Sequence, residues 1–160
     1  MSVFHNNALI GAGAGTGEVA AAEYVIPKSL RLNSGDTAYL SKNFSTAGNQ
    51  RTWSVSFWFK KVKNYSAGSF YRIFGQENAT HLYFYGDNIH FDVSNSGTTV
   101  GRRWTSQVFR DNAALMHCVA VCDTTASTAS ERMRLYINGS EVTSFGTTLN
   151  PSQNALTSMS

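Results

Sequence analysis

The chain has 160 residues, of which 14% are charged, and a formal net charge of +3; that length suits one domain that buries roughly 70% of its unfolded surface and completes a core without disulfides or metals. Charge far below the roughly 25% of an ordinary soluble domain, with Ser, Thr, Asn and Gly in its place, gives a polar, uncharged surface of the kind common outside cells and on particles. Lysine and arginine are scattered, the densest group being Lys60, Lys61 and Lys63, which excludes the basic patch that nucleic-acid binding needs.

The first 28 residues differ from the rest. They contain Gly11-Ala12-Gly13-Ala14-Gly15-Thr16-Gly17 and an Ala-rich segment up to Pro27. A dinucleotide fingerprint must follow a strand and open a helix within a βαβ unit, and no such pattern follows these glycines. The segment reads as a flexible arm whose residues Phe4, His5, Gly11, Gly13, Gly15 and Gly17 order against a neighbour on assembly. No basic segment followed by an apolar core opens the chain, so no secretory leader is expected. No run is long enough for a membrane span. The sequons at Asn43, Asn64, Asn78 and Asn138 carry little weight in a Ser/Thr/Asn-rich chain.

From Ser29 onward the pattern is that of strands, with period-two apolar alternation broken by Gly, Asn, Asp and Ser. Trp53, Val55, Phe57 and Phe59 share one face of a strand, and Ser54, Ser56 and Lys60 the other. Trp58 interrupts the polar face and is expected to lie under another segment. The three lysines that follow read as a solubilised strand end. Tyr85-Gly86-Asp87-Asn88 predicts a hairpin with a two-residue loop. That register sets Phe84 opposite Ile89, Leu82 opposite Phe91, Tyr83 opposite His90 and His81 opposite Asp92. A one-residue slip would place apolar side chains against polar ones. His81 and Asp92 are expected as an exposed cross-strand pair. Trp104 follows Arg102-Arg103 in what reads as a polar loop.

The run Leu115-Met116-His117-Cys118-Val119-Ala120-Val121-Cys122 is apolar on both faces, as in a central strand buried between layers. The two cysteines are separated by roughly 13 Å of extended chain, too far for a disulfide, and read as small buried hydrophobes. His117 reads as a hydrogen-bonded structural histidine. Asn138-Gly139 predicts a second hairpin, with a type I′ turn that sets Leu135 opposite Val142. Asn150 to Ser160 carry no strand pattern, so the sheets look unfinished there. About ten strands at this spacing predict an all-β, antiparallel two-sheet sandwich.

Two of these runs carry a resemblance. Leu115 to Val121 resembles the Trp-His-His-Val-Ala-Val strand of laminin-G-like domains, with Met116 where the family usually has Trp. Arg134-Leu135-Tyr136-Ile137-Asn138-Gly139 resembles their Arg-Leu-Tyr-Val-Asp/Asn-Gly hairpin. The resemblance implies a concanavalin-A-like jelly roll over residues 29–160, following the arm at 1–28. Family domains continue with closing strands beyond the point where this chain stops. Phe4-His5-Asn6-Asn7, the Gly/Ala arm, Ser29 to Asn33, Ala38 to Ser41, Ala47 to Trp53 and Phe57 to Lys61 are similar to virion proteins of tailed bacteriophages.

The resemblance also directs where chemistry should be sought. Glucanases with this sandwich place carboxylates at alternate positions of one strand, so that one attacks while the other gives a proton. None of the ten acidic residues here lies two from another. No nucleophile elbow is present, and no catalytic residue is assigned. Laminin-G-like domains often hold Ca²⁺ at the sandwich rim, where Asp87, Asn88 and Asp123 are the candidates. No other cofactor is expected. A glycan site would use Tyr83, Tyr85 and His90 on one exposed sheet face, together with Trp104. The expected function is a non-enzymatic virion structural protein, a tail fibre or tail component or a capsid decoration. The arm would attach it to other virion proteins, and a homo-oligomer is expected, a trimer if it forms a fibre. The alternative is a lectin-like module for host glycans. Neither nucleic acid nor membrane insertion is expected.

Overall fold

The computed structural model describes residues 34–36, 48–64, 66–75 and 79–158. The chain divides into two units, residues 1–43 and 44–160. Of the first, Ser34–Asp36 forms a short 3-10 turn. The arm residues Phe4, His5, Gly11, Gly13, Gly15 and Gly17 lie outside the described residues.

The second unit is two antiparallel sheets. Its strands are β1 (Thr52–Lys60), β2 (Phe70–Gly75), β3 (His81–Tyr85), β4 (Asn88–Asn95), β5 (Thr98–Val108), β6 (Leu115–Asp123), β7 (Met133–Ile137), β8 (Ser140–Glu141) and β9 (Phe145–Leu149). The four-stranded sheet runs β1-β6-β7-β8 and the five-stranded sheet β2-β3-β4-β5-β9. A 3-10 turn, Ala129–Arg132, precedes β7. Nine strands among the described residues come close to the expected number.

Alternation decides which side chains meet. Because successive residues point to opposite faces, β3 and β4 send Leu82, Phe84, Ile89, Phe91 and Val93 inward. The four-stranded sheet answers with Met116, Cys118, Ala120, Cys122, Met133, Leu135 and Ile137, and Trp53, Val55, Phe57 and Phe59 pack against them. Trp53 meets Phe91 edge-on at 6.0 Å, and Phe59 meets Phe84 at 5.9 Å, a geometry favoured by the aromatic quadrupole. Both cysteines are free and buried, as expected. Burial pushes both thiols up to about 12, so they remain protonated and inert.

The two predicted hairpins have the predicted registers. Across β3 and β4, Leu82 faces Phe91, Tyr83 faces His90, Phe84 faces Ile89 and His81 faces Asp92. Gly86 has φ +59, a value suited to the first central position of a type II′ turn. In the second hairpin Asn138 (φ +51) and Gly139 (φ +80) both adopt the left-handed region, and Val142 N–H donates to Leu135 O at 2.8 Å. A third two-residue turn, Ser96-Gly97, joins β4 to β5 with φ +47 and +84.

Three expectations about these strands need correction. Trp58 is not covered: it is 64% exposed, its ring stacked on His117. The strand through Val119 and Val121 is central only within its sheet. Met116, Cys118, Ala120 and Cys122 are buried, while His117, Val119 and Val121 on the other face are partly open; among the described residues no third layer covers that face. His117 is hydrogen-bonded as expected, its Nε2 2.8 Å from Ser56 Oγ. Trp104 lies within β5, not in a loop. Residues 150–158 form no strand, as expected, yet they are hydrogen-bonded to both sheets. Thr157 N–H donates to Gln50 O, and Trp53 Nε1 donates to Thr157 Oγ1 at 2.9 Å. Ser158 N–H donates to Ser94 O, and Thr80 N–H to Ser158 O. The segment thus ties the first strand of one sheet to the middle of the other.

Candidate ligand-binding face

The outward side chains of the five-stranded sheet form an aromatic and polar cluster. Register places Phe70 beside Tyr85, Arg72 beside Tyr83, Tyr83 beside His90 and His90 beside Trp104. Ring centroids are 4.3 Å apart for Phe70–Tyr83, 5.1 Å for Tyr83–His90, 5.3 Å for Tyr85–His90 and 4.3 Å for His90–Trp104. Sequence reasoning named Tyr83, Tyr85, His90 and Trp104, and the fold brings these four together.

At its centre is Asp92, 3% exposed. Its Oδ1 accepts from Arg102 Nε at 3.0 Å and Trp104 Nε1 at 2.9 Å. Its Oδ2 accepts from Tyr83 Oη at 3.2 Å and Arg102 Nη2 at 3.4 Å. His81 Nε2 stands 4.0 Å from the same carboxylate. The expected exposed His81–Asp92 pair is therefore a buried carboxylate held by several donors. Burial, and then the neighbouring carboxylate, raise the Tyr83 phenol far above its ordinary value. The Arg102 guanidinium lies over the Trp104 ring at 4.3 Å, an attractive cation–π arrangement.

His90 is 7% exposed, and burial is the main cause that lowers its imidazole to about 4. Its Nδ1 lies 3.3 Å from Tyr83 Oη. An unfolded imidazole titrates near 6.5, so between the two values the unfolded chain binds more protons. Stability then falls as pH drops through that window. Denaturant titrations at about pH 7 and about pH 4.5 should show a loss of about 2 kcal/mol from this group, and His90→Gln should remove that part of the slope. An equal slope in the variant would mean that the imidazole is protonated in place.

Only part of this cluster is open to a ligand. Tyr83 and His90 are buried, and Trp104 is half-buried, flanked by His90 and Arg102. The open rings are Tyr85, 47% exposed, and its cross-strand neighbour Phe70, 44% exposed. Beside Tyr85 runs a groove of about 390 Å³ lined by Ala67, Gly68, Gly86, Asp87, Asn88, Val108 and Arg110. Phe70 was missed in the sequence because its pairing with Tyr85 lies beyond a register shift between Arg72 and Phe74.

The rim residues proposed for Ca²⁺ are not assembled. Asp87 lies by Lys61, just past the end of β1, and Asp123 pairs with Thr52 at its start. Nine residues of extended chain separate these positions by roughly 30 Å. Asp87 is also engaged by cations: Lys61 Nζ lies at 2.5 Å and Arg110 Nε at 2.9 Å. Asn88 Nδ2 donates to Thr105 O and Gln107 O, which satisfies the carbonyls of an irregularity in β5. Asp123 Oδ1 accepts from Thr125 N and Oγ1, and the Thr125 hydroxyl is the main cause holding this carboxyl below its ordinary value. Among the described residues no cluster of three His, Cys, Asp or Glu side chains is placed to hold a metal.

A second cleft of about 570 Å³ opens beside β7, β8 and β9. Its floor holds Arg103, 2% exposed. Arg103 Nη1 donates to Arg102 O and Leu149 O, and Nη2 to Ser130 O and Asn150 Oδ1. All four acceptors are neutral, and burial lowers the guanidinium below its ordinary value. Glu131 and Glu141 line the same cleft, with Arg134 paired to Glu131 at 3.3 Å.

The two-sheet sandwich and the strand motifs define a class, and the family comparison agrees with them. A model described as the concanavalin A-like lectin/glucanases superfamily, of laminin-G type, matches residues 33–159, and the chain belongs to this family. No curated protein and no solved structure matches it.

Proposed function

We propose that this chain is a non-catalytic binding module that takes up carbohydrate at Phe70 and Tyr85 and in the adjoining groove. The observation that carries this reading is an exposed aromatic pair beside a polar groove. Sugar C–H faces stack on such rings, and Arg110 with the groove backbone at Gly68 and Gly86 can order hydroxyls. Arg110 is exposed and donates its Nε to Asp87, which leaves its Nη groups facing solvent. Hydrolysis of a glycosidic bond needs two carboxyl groups within about 5–10 Å across the scissile bond. On this face Asp92 is already engaged by four donors, and Asp87 by two cations, so neither is free for that role. The superfamily spans lectins and glucanases, and the lectin side fits these residues.

Glycan-array screening of the full chain, followed by calorimetry on the best hit, tests the reading. Tyr85→Ala and Phe70→Ala should each weaken binding at least about tenfold while the thermal midpoint changes little. Unchanged affinity in both variants, or release of reducing sugar by the wild type, overturns it.

A second reading concerns where the module is carried. The similarity of Phe4 to Asn7, the Gly/Ala arm and Ala47 to Lys61 to tailed-phage virion proteins favours a tail or capsid component. In that reading residues 1–28 attach it to other virion proteins on an extracellular particle. Several copies on one particle would multiply weak glycan sites by avidity. Density for residues 1–28 on a neighbouring protein in an intact particle is the expected result; an arm free in an isolated monomer counts against it.

A further inference from the structure

The outer face of the four-stranded sheet carries apolar groups where solvent-facing residues are usually polar. Since Trp53, Val55, Phe57 and Phe59 turn inward, Thr52, Ser54, Ser56, Trp58 and Lys60 turn outward. Their cross-strand partners are Asp123, Val121, Val119, His117 and Leu115. Tyr136 lies beside Val119, and Arg134 beside Val121. Trp58 and Leu115 are among the most exposed large apolar side chains described. Trp58 is held upright against His117 at 4.8 Å, and Ser56 fixes that imidazole.

The two ends of this face differ. One end is bulky and basic, with Trp58, Leu115 and Lys60. The other has small side chains at Ser54 and Val121 and the carboxylate of Asp123, with Arg134, paired to Glu131, at its margin. A two-fold axis lying across the strands, in the plane of contact, turns one end onto the other.

We propose that two copies of the chain pack face to face through these sheets about such an axis. Trp58 of each copy then stands over the small side chains at Ser54 and Val121 of the second copy. Lys60 of each comes beside the second copy's Asp123. A contact of this kind is isologous and closes as a dimer, and aligned sheets packing face to face accommodate their twist by crossing at about −30°. The available area is roughly 500 Å² per copy at about 3.3 Å per residue and 4.8 Å per strand. That is less than the roughly 800 Å² per partner of a standard interface, so the dimer is weak and concentration-dependent, with a dissociation constant of about 10–100 µM.

Sedimentation equilibrium of the full chain from about 1 to about 200 µM tests this, since the range spans the expected constant. The apparent mass should rise from one chain to two. Trp58→Ser should weaken the dimer by about thirtyfold or more, as for a central aromatic anchor. Ser54→Glu, on the receiving end, should do the same by placing a carboxylate against the negative face of the indole. Both positions are exposed, so neither variant should lower the thermal midpoint. A chain that stays monomeric throughout overturns the proposal, as does a dimer insensitive to both substitutions. If the monomer binds glycans and Trp58→Ser abolishes that binding, the face is a sugar platform and the dimer is refuted.

Discussion

Asp92→Ala should lower stability by about 3 kcal/mol. The carboxylate accepts from Tyr83 Oη, Trp104 Nε1 and two nitrogens of Arg102. Its removal leaves the half-buried indole N–H without its acceptor and the buried phenol with only the longer contact to His90 Nδ1 at 3.3 Å, at about 1–3 kcal/mol for each buried donor left unpaired. It also leaves Arg102 without its counter-ion. Arg102 keeps 29% of its side chain exposed, so water recovers part of that loss, and the total stays below the roughly 5 kcal/mol upper range for breaking a buried pair. Asp92→Asn keeps one acceptor oxygen but turns an NH₂ toward other donors, so it should recover less than half of the difference. Urea midpoints at neutral pH measure both variants. A loss under about 1 kcal/mol for Asp92→Ala would mean that water already solvates these donors.

This carboxylate marks the boundary of what could be read from sequence. The β3–β4 hairpin was legible because a two-residue turn fixes register, and register then places His81, Tyr83, His90 and Asp92 on one face. The environment of Asp92 was not legible, because Arg102 and Trp104 reach it from β5. That strand reads Thr-Thr-Val-Gly-Arg-Arg-Trp-Thr-Ser-Gln-Val, a polar run with no apolar alternation. It is a strand because β4 and β9 pair with it on either side. Its inward positions are Gly101, Arg103 and Thr105, where apolar residues would ordinarily give the signal. At Gly101, Met133 and Pro151 leave no room for a Cβ. The closing segment 150–158 escaped for a related reason: backbone and hydroxyl hydrogen bonds hold it, and these have no period.

The two outer faces of the sandwich are chemically distinct. The five-stranded sheet protects a carboxylate–aromatic network and leaves Phe70 and Tyr85 open at one corner. A rigid underlay of this kind holds exposed rings in place before a ligand arrives, which limits the ordering cost of binding. On the four-stranded sheet Arg134 is paired with Glu131 near Tyr136, away from the exposed Trp58, which rests on His117. Substitutions at Tyr85 and at Trp58 should therefore separate glycan binding from self-association.

Arg103→Met should be comparably damaging, costing about 3 kcal/mol. A buried guanidinium facing neutral acceptors looks unfavourable, since removing a charge from water costs several kcal/mol. Four charge-assisted hydrogen bonds offset that cost at about 1.5–3 kcal/mol each. They also join parts of the chain far apart in sequence: Arg102 in β5, Leu149 at the end of β9, Asn150 at the start of the closing segment, and Ser130 in the turn before β7. Methionine fills much of the volume but leaves those acceptors unpaired, though water in the adjacent cleft can reach some of them. Arg103→Lys distinguishes charge from geometry. An ammonium is a point donor that cannot reproduce the planar fork of a guanidinium, so lysine should still lose about 2 kcal/mol. The loss should appear first in hydrogen exchange at β9 and the closing segment. If lysine matched the wild type, the charge alone would account for the role of this residue.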